Sequence, residues 1–252
     1  MNLEHPPSNI HTRSLHTRTS THEHRYDQGQ IRRALLELES LCHPDAVENK
    51  REQARALLLH TEWRQRSGRT QGESVISQYR RVLDWRPNWA RAHFVLGNYY
   101  DWLLTQQLFE EQKSQGGTMS DARVRLIEAG EYQYLLELMN HYGRALECSG
   151  RQDIDDMGDI VYRALPRLLT LWLEFGRSVS IVSSKRPKTR RRESSTSKKK
   201  ASSSKNKLEQ DVNDILERFA QTLPVYMLYT ALPQLVASVG HGSVNVWTIL
   251  RT

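Results

Sequence analysis

Apolar residues recur at helical spacing along most of this chain, and the period begins abruptly. From about Gln28, the positions Ile31, Leu35, Leu38 and Leu41 fall on one face of a helix that ends near Cys42-His43-Pro44. A second helix is predicted over 44–66, with Val47, Ala54, Leu57, Leu58 and Trp63 inward and a stop at Ser67-Gly68. A third is expected over 72–85, burying Val75, Tyr79, Val82 and Leu83. It closes at Arg86-Pro87-Asn88, because proline disfavours the helical conformation in the residue before it. A fourth starts at Asn88 and carries Trp89, Ala92, Leu96, Tyr99, Tyr100 and Leu103.

The junction between the third and fourth helices has the spacing of a tetratricopeptide boundary. Proline opens the next helix there, and Leu96-Gly97 with Tyr100 lets two helices approach closely; His93 stands where that pattern usually has Trp. Gln112 to Ser120, with Gly116-Gly117, is expected as a flexible connection. One long helix then follows over 121–148, with Leu126, Leu135, Leu138, Met139, Tyr142, Ala145 and Leu146 inward and Ser149-Gly150 as its end. Another runs from about Asp153 through Ile160, Val161, Leu165, Leu168, Leu169, Trp172 and Leu173 to Gly176, kinked or divided at Pro166. Helical character resumes over 208–222 with Val212, Ile215, Leu216 and Phe219 on one face, and two proline-opened apolar segments follow. The last ten residues, 243–252, show no cap or stop and read as a helix cut midway. The fold class is therefore all-α, a tetratricopeptide- or HEAT-like solenoid in which each hairpin buries its face against its neighbours.

Two stretches break the period. Residues 1–26 hold His5, His11, His16, His22 and His24 among Ser, Thr, Arg and Pro with almost no apolar position, a composition that predicts disorder. His22-Glu23-His24 supplies two ligand types, but nothing at metal-ligand spacing completes a site, so no metal is expected. Residues 182–207 are low-complexity Ser, Lys and Arg and are expected as a disordered loop, which a solenoid tolerates because loop closure costs little extra per residue. The domain reading is thus a tail at 1–26, helical repeats over 27–181, the basic insert at 182–207 and further repeats over 208–252.

Charge changes the picture less than the total suggests. The net charge is +7 over 252 residues, yet residues 185–207 alone hold eleven basic residues against one acid, Glu193. The remainder is net acidic, so a nucleic-acid-binding helical fold does not follow from the high isoelectric point. Within the insert, Lys185, Arg186, Lys188, Arg190, Arg191 and Arg192 fit a nuclear import signal, and equally a solvated loop with salt-dependent affinity for any polyanion. Ser194, after Arg191-Arg192-Glu193, is a candidate basophilic phosphorylation site. Two cysteines without Cys-x-x-Cys spacing argue against a disulfide framework or zinc site and fit a reducing compartment. No apolar run approaches the roughly 18 residues of a membrane span, so no membrane contact is expected. The six tryptophans, at helical spacing among Leu and Val, are expected in the core.

The strings themselves resemble the FAT region of phosphatidylinositol 3-kinase-related protein kinases, and most closely the ATR-type checkpoint kinases. The resemblance rests on Trp89, His93-Phe94 and Tyr99-Tyr100-Asp101 in that order; on Gly143-Arg144-Ala145-Leu146; and on the run 166–176, with Pro166, Arg167, Leu171, Trp172 and Gly176. Thr230-Ala231 with Gln234, Leu235 and His241 completes it, although Ser238 sits one residue later than the family serine. TOR-type kinases share the Leu-Thr-Leu-Trp portion; Tyr-Tyr-Asp tips the choice toward ATR. The basic insert and the histidine-rich head have no clear counterpart.

The resemblance implies a helical scaffold that clamps a kinase domain of the same polypeptide, contributes homodimer contacts, meets checkpoint partner proteins and works in the nucleus in DNA-damage signalling and repair. It implies no catalytic residue, cofactor or metal on this chain. ATP and a divalent metal would belong to the kinase domain of a longer parent. In keeping with that, the sequence has no glycine-rich phosphate loop, no catalytic-loop Asp with a downstream Asn and no Asp-Phe-Gly. A stand-alone tetratricopeptide-like adaptor for protein–protein interaction remains the contrasting reading.

Overall fold

The computed structural model describes residues 31–42, 49–132, 134–150, 154–184 and 196–237; side chains at 31, 32, 34, 154–158 and 196–206 are not described. All regular elements among them are helices, as the period predicts. The chain divides into two compact units, one ending at Asn88 and one beginning at Trp89.

The first unit holds α1 (Ile31–Leu41), α2 (Lys50–Arg66) and α3 (Glu73–Trp85). Leu35 and Leu38 of α1 pack with Ala56, Leu59 and Trp63 of α2. The Asn49 side chain caps α2 by accepting from the Arg51 N–H at 2.9 Å. Positive φ angles of 70° and 65° at Gly68 and Gly72 turn the chain into α3, and Arg64 Nε pins that turn by donating to Thr70 Oγ1 at 2.9 Å. The Tyr79 hydroxyl donates to Gln65 Oε1 at 2.8 Å across the hairpin. As expected from Pro87, α3 ends at Trp85 and Arg86 leaves the helical region, with φ −139° and ψ 77°.

The second unit contains α4 (Ala90–Gln115), α5 (Met119–Ala129), α6 (Tyr134–Ser149), α7 (Ile154–Ser184), α8 (Thr196–Thr222), α9 (Val225–Leu228), a 3-10 turn (Tyr229–Ala231) and α10 (Leu232–Ala237). The α4–α6 pair makes its most extensive contact. Gly97 permits it: a Cβ there would lie 2.7 Å from the Tyr142 ring. α6 also packs on α7 and α8, α5 bridges α4 and α7, and the final short helices lie on α7.

Several boundaries correct the sequence reading. The helix expected over 121–148 is two helices. Gly130 adopts φ 77°, its N–H and that of Glu131 close on Ile127 and Leu126, and this C-cap interrupts an otherwise continuous apolar period. The connection expected at 112–120 shrinks to 116–118. α4 continues to Gln115, and a capping box between Thr118 and Asp121 starts α5 at Met119.

α7 neither divides at Pro166 nor stops at Gly176. The carbonyl deprived of a partner by Pro166 belongs to Tyr162, a residue on the exposed face of α7. Beyond Gly176 the helix still buries Val179 and Val182, while Ser178, Ser180 and Ser183 bond carbonyls four residues back. The insert is accordingly shorter than the loop expected over 182–207: residues 182–184 finish α7 and 196–207 open α8. Lys and Ala are strong helix formers, which offsets the low complexity of that stretch. Trp63, Trp89 and Trp172 are core as expected and Trp85 is half-buried, but Trp102 is 43% exposed on α4. The tail at 1–26 and the run 243–252, with Trp247, lie outside the described residues.

No described helix is long and apolar enough to cross a membrane.

Candidate functional site

The residues that carry the family resemblance sit far apart in sequence and meet between helices of the second unit. Asp101, which closes the Tyr-Tyr-Asp element on α4, receives a two-pronged bond from Arg167 on α7: Nε donates to Oδ2 at 2.8 Å and Nη2 to Oδ1 at 2.6 Å. Such a fork fixes orientation as well as distance, which an ammonium cannot do. The hydrogen bonds to Asp101 hold the Arg167 guanidinium above its ordinary pKa, against the opposing effect of burial. Tyr142 of α6 completes the cluster. Its hydroxyl donates to Asn98 Oδ1 at 2.8 Å and lies 3.4 Å from Asp101 Oδ2. Burial first, and the Asp101 charge second, push this phenol up, so it remains a neutral donor. Three helices are thereby tied at one point.

A second joint uses the residue before Arg167. The Pro166 carbonyl accepts from Thr170 Oγ1 at 2.9 Å and from Gln234 Nε2 at 3.1 Å, with Gln234 also 2.5 Å from Thr170 Oγ1. Gln234 on α10 thus reads the proline turn of α7. Further along α7, Trp172 is buried and its Nε1 donates to Asn213 Oδ1 of α8 at 3.0 Å. On the α5 side, Arg123 donates to Glu174 at 2.7 Å and to the hydroxyl of Tyr132, which is buried and lies parallel to Phe175. Burial raises the Tyr132 pKa against the pull of Arg123.

The remaining motif residues are packing groups. Trp89 is buried at the entry of α4, and Phe94 lies under the Arg163 guanidinium at 4.9 Å and beside Tyr142. Tyr99 stacks on Trp102, and Tyr100 stacks on His141. Leu171 and Gly176 are buried and Leu235 is half-buried. His241, the import candidates Lys185, Arg186, Lys188, Arg190, Arg191 and Arg192, and the candidate phosphorylation site Ser194 lie outside the described residues.

Sequence reasoning marks Asp101, Pro166, Arg167, Trp172 and Gln234, with Glu174 inside the run 166–176, but misses Asn98, Arg123 and Asn213. These partners sit outside the apolar period, and what gives each of them a role is a residue on another helix. As a whole, the site is a set of interhelical joints that set the register of six helices, α4 to α8 and α10, against one another. Its polar groups bond one another from helix to helix.

Comparison with known proteins gives this arrangement a family. Among curated relatives, serine/threonine-protein kinase ATR of Arabidopsis thaliana is 29% identical over 82% of this chain and 7% of that protein. Serine/threonine-protein kinase ATR of Oryza sativa subsp. indica is 27% identical over 79% of this chain and 7% of that protein. Protein kinase rad3 of Schizosaccharomyces pombe is 25% identical over 90% of this chain and 9% of that protein. The chain spans less than a tenth of the length of these relatives. No solved structure matches it. The family model for the FAT domain matches residues 4–170, reaching into the histidine-rich head and ending within the Pro-Arg-Leu-Leu-Thr run; no kinase domain is part of that match. A match over most of the chain, with relatives of the ATR, MEC1 and rad3 kind, means that this chain belongs to the FAT domain family and resembles the FAT regions of ATR-type kinases.

Proposed function

We propose that this chain is the scaffold segment of an ATR-like serine/threonine protein kinase, packing around and positioning the kinase domain of the same polypeptide in nuclear DNA-damage checkpoint signalling and repair. The observation that carries this reading is the Asp101–Arg167 fork with its neighbour, the Pro166–Gln234 joint. The residues shared with the family are used to hold helices in register, as a scaffold requires, and transmit position without touching substrate. On this reading ATP and its metal are bound by the kinase domain, and homodimer and checkpoint-protein contacts fall on the outer helix faces.

One such face supports continuation of the array over a stand-alone adaptor. Val225, Tyr229, Leu232 and Val236 follow at intervals of four, three and four along the last helices, all exposed, while Met227 and Ala231 are buried. No charged residue occurs from Leu223 to Ala237. A segment apolar on both faces belongs between two layers, of which α7 is one.

The test begins with the transcript across the codon for Thr252. A frame that runs on through helices into a kinase domain with Asp-Phe-Gly supports the scaffold reading; an immediate stop codon sinks it in favour of the adaptor. In the longer kinase, Arg167→Met should lower phosphorylation of substrate while ATP affinity is retained.

A further inference from the structure

Two histidines meet in the contact between α4 and α6. His93 Nδ1 and His141 Nδ1 are 3.0 Å apart, their ring centroids are 5.3 Å apart, and His93 is only 7% exposed. The other face of His141 lies on the Tyr100 ring, 5.8 Å between centroids and 12° from parallel, and Tyr100 in turn abuts Tyr134. Both imidazoles are held by packing on the two helices.

Like atoms at this distance share a hydrogen bond only when one carries the proton and the other a lone pair. The pair therefore holds in two charge states. In the neutral state one ring is the Nδ1–H tautomer and the other the Nε2–H tautomer. With one proton added, a charged ring donates to a neutral one. A second added proton leaves two N–H donors and two positive charges facing each other, with no lone pair between them.

We propose that His93 and His141 form a proton-sensitive clamp between α4 and α6, closed with at most one added proton and opened by the second. The clamp sits where opening reaches the joints already described. Gly97, one turn along from His93, is the close-approach point for Tyr142, which follows His141 directly. Charged groups stand on α4, on α6 and on the helices packed against them; on α8, Arg218 donates to Asn140 Oδ1 at 2.8 Å, beside His141. On α4 they are Arg91 and Asp101, the latter held by Arg167 of α7. On α6 they are Glu137 and Arg144, the latter paired with Glu147. On α7 Arg163 pairs with Asp159 and covers Phe94, the neighbour of His93. On α5 Arg123 and Arg125 are paired with Glu174 and Glu111.

The sign follows from proton counting. Unfolded histidines titrate near pH 6.5, whereas the clamp binds one proton fewer than two free histidines do. Stability from the clamp is complete above about pH 6.5 and is lost as pH falls. Each further pH unit reduces the folded-to-unfolded ratio by about tenfold.

The full chain is unfolded in urea at pH 7.5 and pH 5.5, and the unaltered protein is compared with His93→Gln and His141→Gln, which keep a polar group without titrating. The expected result is a loss between the two pH values about tenfold larger in the unaltered protein than in either variant. Equal losses in all three overturn the clamp. Nitrogen-15 NMR of the imidazoles in the unaltered protein at pH 7.5 is a second readout that needs no variant: one Nδ1–H and one Nε2–H ring are expected. Two Nε2–H rings, which leave no proton between the Nδ1 atoms, overturn the proposal.

Discussion

Alanine at position 143 separates tertiary packing from helix propensity, because the two act in opposite directions there. Gly143 lies in α6, buried, and the Phe219 ring of α8 rests directly against it. A Cβ at 143 would overlap three atoms of that ring, Cε2, Cζ and Cδ2. By propensity alone, Gly→Ala inside a helix stabilises by about 0.8–1 kcal/mol. Forcing a methyl group into a filled site costs about 1–3 kcal/mol. Here the ring has little room to yield. Phe219 is 1% exposed, and expelling a buried phenylalanine forfeits about 3–5 kcal/mol. With three ring atoms displaced at once the upper end of the packing cost applies, and the net effect is a loss of about 2 kcal/mol, roughly thirty-fold in the folded-to-unfolded ratio. Urea unfolding followed by far-UV circular dichroism measures it. The same substitution in a Phe219→Leu background should be neutral or stabilising, because the ring that obstructs the methyl is gone. A Gly143→Ala protein more stable than its parent would refute the reasoning.

Other outcomes follow from the same contacts. Arg167→Lys should lower stability by about 1 kcal/mol, since one ammonium cannot reproduce the fork on Asp101 and the pair is partly open to solvent; a double-mutant cycle with Asp101→Asn should show coupling between the two positions. Burial holds the His60 pKa below its ordinary value, and its Nδ1 has no hydrogen-bond partner among the described residues. The unfolded chain therefore binds that proton more readily, stability falls as pH drops below about 6.5, and His60→Leu should gain more stability at pH 5.5 than at pH 7.5 in thermal melts. Burial also pushes the Cys42 thiol up to about 12. Its alkylation by iodoacetamide at pH 8, followed by peptide mass spectrometry, should be at least tenfold slower than that of the urea-unfolded chain.

Gly143 also shows how far the sequence could be read. The resemblance singled out Gly143-Arg144-Ala145-Leu146, yet no local pattern explains a glycine in mid-helix. The reason is a ring from α8, seventy-six residues away in the chain. Asp101 and Arg167 were likewise marked separately, and their pairing was not visible: a periodic pattern reports which face of a helix is apolar and says nothing of which polar residue on that helix meets which other.

What the sequence determined by itself was the all-α class, the placement of most helices, the stop at Pro87 and the buried stripes, with Leu38, Tyr79, Leu96, Leu138 and Trp172 among them. These follow from short-range physics: side-chain period, proline sterics and capping act within a turn or two of the chain. Only the tertiary structure decided that Gly130 ends one helix where Gly176 does not end another, that Pro166 stays inside α7, and that Trp102 faces solvent. Past Gly176 the deciding energy comes from neighbours on other helices. Val179 and Val182 keep α7 growing because their burial outweighs a local stop, and Gln234 reaches the Pro166 carbonyl only once α10 has settled on α7.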